Sequence, residues 1–183
     1  MLTAMSRDPA PRRMYLVRHA MPVVDPTVAS HRWQLDDTGR AAADELAAAL
    51  PDGPLYWVAS TEPKAWQTAE HMAAGAPVHQ DPDFGEVRKP HEFTARHRHL
   101  ASAYLSGTIH PHWEDPDTVA ARFGAAVSRH LAAAGPATVV ITTHGIALTT
   151  WLARHIDLGD AAGFWRGLTL PDMVAVNVPS ATT

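Results

Sequence analysis

The chain has 183 residues, 46% hydrophobic and 19% charged, with a net charge of −4 when histidine is neutral. These values suit one globular domain with an ordinary core and exclude the strongly basic surface of a general nucleic-acid binder. The lack of cysteine removes disulfides, thiolate metal sites and cysteine nucleophiles together, and it suits a reducing, cytoplasmic setting.

Residues 1–13 include Arg7, Asp8, Pro9, Pro11, Arg12 and Arg13 and lack the apolar run of a signal peptide. They read as a flexible tail ahead of a single domain over 14–183. No stretch is apolar for long enough to span a membrane. Met14–Val17 is a short β-favouring run that ends on Arg18-His19, so a buried strand should deliver two polar residues to its C-terminal end. Thr38-Gly39-Arg40 opens an Ala- and Leu-rich helix over Ala41–Leu50, and Pro51-Asp52-Gly53-Pro54 stops it. Leu55–Ala59 reads as the second strand. Ser60 or Thr61 should cap the next helix, with Pro63 in its first turn, and that helix runs to about Ala74.

Pro77–Gln80 reads as a third, short strand, and a helix is expected over Glu92–Leu105. Val119, Phe123, Val127 and Leu131 recur at helical spacing within Pro116–Ala134. Thr138–Thr142 is the clearest strand, His144-Gly145 follows it, and a helix is expected over Ile146–Ile156. Met173–Val178 closes the pattern as a strand. Alternating strands and helices predict an α/β three-layer sandwich with a mostly parallel central sheet flanked by helices. Ligands of such sheets sit beyond the carboxyl ends of the strands.

Two of these strands end in histidine at that edge, in Leu16-Val17-Arg18-His19 and in Ile141-Thr142-Thr143-His144-Gly145. Tyr15-Leu16-Val17-Arg18-His19-Ala20 resembles the Arg-His-Gly signature of the histidine phosphatase (phosphoglycerate-mutase-like) superfamily, with Ala20 at the third position. Leu35-Asp36-Asp37-Thr38-Gly39 is similar to that family's Leu-Thr-x-x-Gly helix start. Ala59–Ala69 (ASTEPKAWQTA) resembles its Ser-Ser-x-x-x-Arg-Ala-x-Gln-Thr-Ala segment. Phe84-Gly85-Glu86 is similar to its Leu-x-Glu, and Thr142-Thr143-His144-Gly145 matches its second-histidine segment. The motifs come in the family's order and cover nearly the whole chain.

The resemblance implies a phosphoglycerate-mutase-like fold and a phosphomonoesterase of the small phosphatase branch. His19 would be transiently phosphorylated. Arg18, Lys64, His144 and Gly145 would hold the phosphoryl group, and Glu86 would protonate the leaving group. The chemistry fits these residue types. Cations neutralise the phosphoryl oxygens, and Arg18 offers a planar fork of donors. A neutral imidazole can attack phosphorus and split one difficult displacement into two. To donate a proton near neutral pH, Glu86 needs a raised pKa, through burial or through the phosphate itself. No metal or other cofactor is called for.

Lys64 stands where the family usually has a second arginine, which keeps the charge and loses the bidentate fork. Glu62 would be unwelcome if it faced the phosphate, and it reads instead as an exposed first-turn residue favourable to the helix dipole. By position, His31, Arg32, Arg88, Lys89 and His91 form the substrate rim. The pairs His97-x-His99 and His110-x-His112 have metal-like spacing without acidic ligands nearby, and no metal site is assigned to them. The expected partner is a phosphorylated small molecule or a phosphoprotein, with no nucleic acid and no membrane. Two alternatives remain: a phosphate- or phosphoprotein-binding module with weak or no turnover, suggested by Lys64, and a mutase-type phosphotransferase.

Overall fold

The computed structural model describes residues 12–90 and 96–178. Its elements, in order, are β1 (Arg12–Arg18), α1 (Asp37–Ala47), β2 (Leu55–Ala59), α2 (Pro63–Ala73), β3 (Val78–Gln80), α3 (His97–Leu105), α4 (Pro116–Ala133), β4 (Thr138–Thr143), α5 (Gly145–Leu152), α6 (Ala161–Gly167) and β5 (Asp172–Val178). Short 3-10 turns lie at Ser30–Arg32 and Pro82–Phe84. The sheet order is β3-β2-β4-β1-β5, parallel except for β5, which pairs antiparallel with β1.

The strands are apolar on both faces because helices cover both. Successive side chains point to opposite sides of a strand. Met14 and Leu16 of β1, Val58 of β2, Val139 and Ile141 of β4, and Val176 and Val178 of β5 therefore pack on one face. They meet Phe123 and Val127 of α4, Ile146 and Leu148 of α5, and Trp165 of α6. Tyr15, Val17, Trp57 and Val140 point the other way, onto Ala43 of α1 and Met72 of α2. This is the expected three-layer sandwich. Every residue of α5 is buried, which explains why its sequence is apolar all round rather than striped.

Helix starts follow their caps. Asp36 accepts the Gly39 N–H at 2.6 Å and so starts α1 at Asp37, ahead of the expected Ala41. Asp115 accepts from Asp117 and Thr118 at the head of α4, and Asp160 accepts from Gly163 at the head of α6, a helix the sequence reading did not foresee. In α2 the cap position is Glu62, not Ser60 or Thr61, and no side chain caps it. The described part of the third helical region begins at His97, while the expected start at Glu92 lies outside the described residues. Helix α5 ends at Leu152 rather than near Ile156.

Arg12 and Arg13, expected ahead of the domain, lie in its first strand, and the rest of the expected tail lies outside the described residues. Arg12 and Arg13 belong to β1 because β5 pairs alongside them, Arg12 with Val178 and Arg13 with Asn177. The Arg12 guanidinium also donates to the carbonyls of Leu131 (3.3 Å) and Ala137 (2.8 Å), near the end of α4 and just beyond it.

One glycine is dictated by close approach. A Cβ on Gly39 would lie 2.2 Å from the Met21 carbonyl oxygen, so α1 can pack against the loop after β1 only without a side chain there. Gly39→Ala is therefore expected to cost about 1–3 kcal/mol of stability. A lowered urea midpoint with an unchanged m-value would show it, and an unchanged midpoint would contradict the close packing.

Candidate active site

Strands β1 and β4 lie side by side and parallel, with Arg18 level with Thr143. The pairing runs one residue further, His19 N–H donating to Thr143 O at 2.9 Å. On the other side of β4, Ser60 N–H donates to Thr142 O at 2.9 Å. Three neighbouring strand ends thus deliver His19, His144 and Ser60 to one place. The rings of His19 and His144 meet edge to face, with centroids 5.3 Å apart.

His19 is almost fully buried. Its Nδ1 lies 2.8 Å from the Ala20 carbonyl oxygen. A carbonyl only accepts, so Nδ1 carries the proton and Nε2 keeps its lone pair. Burial, reinforced by His144, Lys64 and Arg18, holds the imidazole well below its usual pKa and hence neutral. The loop behind it is anchored by α2. Ala20 N–H donates to Thr68 Oγ1 at 2.9 Å, and Thr68 Oγ1 donates to Lys64 O at 2.7 Å. Gln67 Oε1 accepts from Leu35 N–H at 2.8 Å. The Gln-Thr pair of the α2 motif therefore holds the segment that follows the histidine.

His144 is fully buried and likewise held neutral, by burial first and by Lys64 next. Its Nε2 is 2.9 Å from Ser60 Oγ and 3.5 Å from Glu62 Oε1. Two oxygens facing Nε2 favour a proton there, which makes His144 a donor toward the cleft. Arg18 Nη1 donates to Leu168 O at 2.7 Å, and burial lowers its pKa. A Cβ on Gly145 would lie 2.8 Å from Trp165 Nε1 and 3.0 Å from Arg18 Nε, so this glycine lets Arg18 and α6 close on the head of α5.

Lys64 and Glu62 form a buried ion pair, and only the exposure expected of Glu62 is overturned. Lys64 is only 5% exposed; its Nζ donates to Ser30 O at 2.7 Å and to Glu62 Oε2 at 2.5 Å. Glu62 was expected to face solvent from the first turn. Its side chain is instead 16% exposed, paired with Lys64, and Oε1 takes the Glu86 N–H at 3.0 Å. The reversal comes from Lys64, whose buried ammonium needs a counterion within reach.

Glu86 sits at the head of α5. Its Oε1 accepts from Ala147 N–H at 2.9 Å and Val87 N–H at 3.0 Å, and its Oε2 accepts from Ile146 N–H at 3.4 Å. Burial works to raise its pKa, but Lys89, His144 and the Val87 amide together outweigh burial and hold it below the usual carboxylate range. The raised pKa expected of a proton donor is therefore not found here. The loop is clamped by Arg122 of α4, which donates to the carbonyls of Asp83 (2.6 Å), Gly85 (2.9 Å) and Glu86 (3.1 Å) while pairing with Glu114 at 2.9 Å. Thr143 Oγ1 adds a bond to Phe84 O at 2.6 Å.

Arg18, His19, Lys64, Glu86, His144 and Gly145 thus converge. The rim expectations fare unevenly. His31 and Arg32 lie in the 3-10 turn whose Ser30 carbonyl holds Lys64. Arg32 lines a neighbouring groove of about 490 Å³ with Trp33, Gln34 and Arg40, which none of the converging residues lines. Arg88 is exposed, and its N–H donates to Glu114. Lys89 lies 5.5 Å from the Trp113 ring centroid and acts electrostatically on Glu86 and His144. His91 lies outside the described residues. His97, read as one of a pair with His99, opens α3 close enough to Glu86, Lys89 and Arg18 to feel their charges, and burial lowers its pKa. His110 instead bonds to Leu100 O at 2.9 Å. Ser60 and Arg122 went unrecognised as parts of the site. Arg122 carried no local signal, whereas Ser60 stands at the end of a strand, as the two histidines do.

The model of the histidine phosphatase superfamily (branch 1) matches residues 14–179. The chain belongs to that family. Its fold is similar to that of a mycobacterial glucosyl-3-phosphoglycerate phosphatase (TM-score 0.70, 21% identity, 90% of this chain and 89% of that one). It is also similar to a protein titled mycobacterial hydrolase 1 (TM-score 0.66, 25% identity, 90% of each chain). A third similar structure is TTHB049 from Thermus thermophilus (TM-score 0.63, 25% identity, 91% and 94%). No curated protein matches the sequence significantly. Among the described residues, no helix is long and apolar enough to cross a membrane.

Two measurements check this geometry. His19 and His144 stay neutral when folded, but unfolded imidazoles protonate below about pH 6.5. Over that range the unfolded state binds more protons, so stability should fall as pH drops from 6.5 toward 5.5, by up to about 1.4 kcal/mol per unit for each histidine. Urea titrations should show a shallower slope for His144→Asn than for the wild type. Removing Arg122 leaves Glu114 buried and unpaired, so Arg122→Met should cost about 3–5 kcal/mol. The double variant with Glu114→Gln should lose less than that.

Proposed function

We propose that this chain is a phosphatase that hydrolyses a phosphomonoester through a phosphohistidine on His19, without a metal ion. The observation that carries this reading is the 2.8 Å contact between His19 Nδ1 and Ala20 O, which fixes the tautomer of the neutral ring. Its Nδ1–H is spent on Ala20 O, which leaves the Nε2 lone pair on a ring that feels the charges of Lys64 and Arg18 and meets His144 edge to face. In the first step Nε2 attacks phosphorus and the P–O ester bond breaks. The electron pair goes to the leaving oxygen, which takes a proton from Glu86. In the second step water attacks phosphorus, its proton passes to Glu86, and the P–N electron pair returns to Nε2. Arg18 and His144 donate to phosphoryl oxygens as charge moves onto them, and Lys64 supplies a fixed positive charge.

Glu86 takes up its proton when the substrate arrives. The incoming phosphoryl group adds negative charge beside it and acts against Lys89, raising its pKa. The substrate class we favour is a phosphorylated small molecule, in line with a structural neighbour named for its action on glucosyl-3-phosphoglycerate.

The test is a rapid acid-free quench with a ³²P-labelled ester in the presence of chelator. The wild type should trap an acid-labile phosphoenzyme, and His19→Ala should trap none and release no phosphate. Glu86→Gln should slow esters of poor leaving groups by about 10²–10⁴-fold, and p-nitrophenyl phosphate far less. Turnover that survives His19→Ala would assign the nucleophile elsewhere.

A further inference from the structure

The pair of Glu62 and Lys64 has a consequence for what the site accepts. Lys64 spends two of its three donors on Ser30 O and Glu62 Oε2. The Glu62 carboxylate bridges from Lys64 Nζ at 2.5 Å to His144 Nε2 at 3.5 Å, the two groups that would hold the phosphoryl oxygens. An anion oxygen entering between them meets a carboxylate, which has no proton to offer. Glu62 and Glu86 offset much of the positive charge of Arg18, Lys64 and Lys89, while His19 and His144 are neutral.

Resting on the reading that this site binds a phosphoryl group, we propose that Glu62 selects its singly protonated form. The phosphoryl O–H donates to the Glu62 carboxylate, and Lys64, His144 and Arg18 serve the remaining oxygens. A fully ionised oxyanion has no hydrogen to place there and leaves two acceptors facing one another, an arrangement that costs affinity. Glu62 is suited to this because it stays ionised. Burial works to raise its pKa, but Lys64 and the Glu86 N–H outweigh burial and hold it below the usual range. The groups that face it are Ser60 and Lys64 beside it in the chain, Glu86 and Lys89 from the loop after the second 3-10 turn, and His144 at the head of α5.

Inorganic phosphate and sulfate separate the possibilities, since they match in shape and sulfate carries no proton between pH 5.5 and 8.5. Their dissociation constants, and that of phenylphosphonate, are measured by calorimetry across that range for the wild type and for E62Q. The Gln oxygen can still accept from Glu86 N–H, and its amide can donate to an anion. Inorganic phosphate keeps at least one hydrogen across that range, so its wild-type affinity should change little. Phenylphosphonate, whose dianion has none, should lose affinity with rising pH, approaching about tenfold per unit once its monoanion becomes the minor species. Sulfate should bind about tenfold or more weakly than phosphate at pH 6. In E62Q, sulfate should bind more tightly by a similar factor, and the phenylphosphonate profile should flatten. Protonation of His19 or His144 would strengthen all three anions together on acidification. A parallel rise of all three, unchanged in E62Q, overturns the proposal. Equal wild-type affinity for phosphate and sulfate overturns it too, and that comparison stands even where E62Q fails to fold. No phosphate binding at any pH, with no ester hydrolysed, would instead remove the phosphatase reading on which the proposal rests.

Discussion

The parallel pairing of β1 with β4, carried one residue past the strand ends by the bond from His19 N–H to Thr143 O, is the contact on which the site depends. A one-residue slip would turn every side chain of β1 to the opposite face. Met14 and Leu16 would leave the α4–α5 layer, and Tyr15 and Val17 would leave the α1–α2 layer. The same slip would part the two histidine rings. Core packing and site geometry are therefore held by one constraint, and the register that buries the core also sets the distance between His19 and His144.

Around that pairing, buried polar groups are tied into partners. Glu86 meets the free N–H groups at the head of α5, where the helix dipole favours a negative charge. Arg122 gathers three carbonyls of the loop that carries Glu86 and takes Glu114 as its counterion. Lys64 and Glu62 neutralise each other beside His144. Arg18 Nε and His144 Nδ1 are buried without a hydrogen-bond partner among the described residues. A pocket so arranged holds fixed dipoles and charges that need little reorganisation when an anion enters.

Much of this was legible in the chain because it is written locally. The apolar runs of β1, β2 and β4 are short and sharply bounded, and their polar ends named His19 and His144. The five motifs, taken in order, named Arg18, Lys64, Glu86 and Gly145. Other features were not local. Arg12 and Arg13 looked like tail because only β5, far along the chain, makes them strand. Helix α6 offers few apolar residues at helical spacing and is closed by Asp160 and by packing of Trp165. Glu62 looked like a solvent-facing residue until its lysine proved to be buried.

The sequence by itself determined the layered α/β class, the order of the main elements, the family and the residues brought to the strand ends. Those follow from periodicity, caps and contiguous motifs, which act over a few residues. Only the tertiary structure decided which charges face one another. It turned Glu62 inward to Lys64 and His144, gave Glu86 a lowered rather than a raised pKa, and set Arg122 behind the loop that carries Glu86. Charge pairing and burial depend on distances between residues remote in sequence, and these exist only once the sheet has closed.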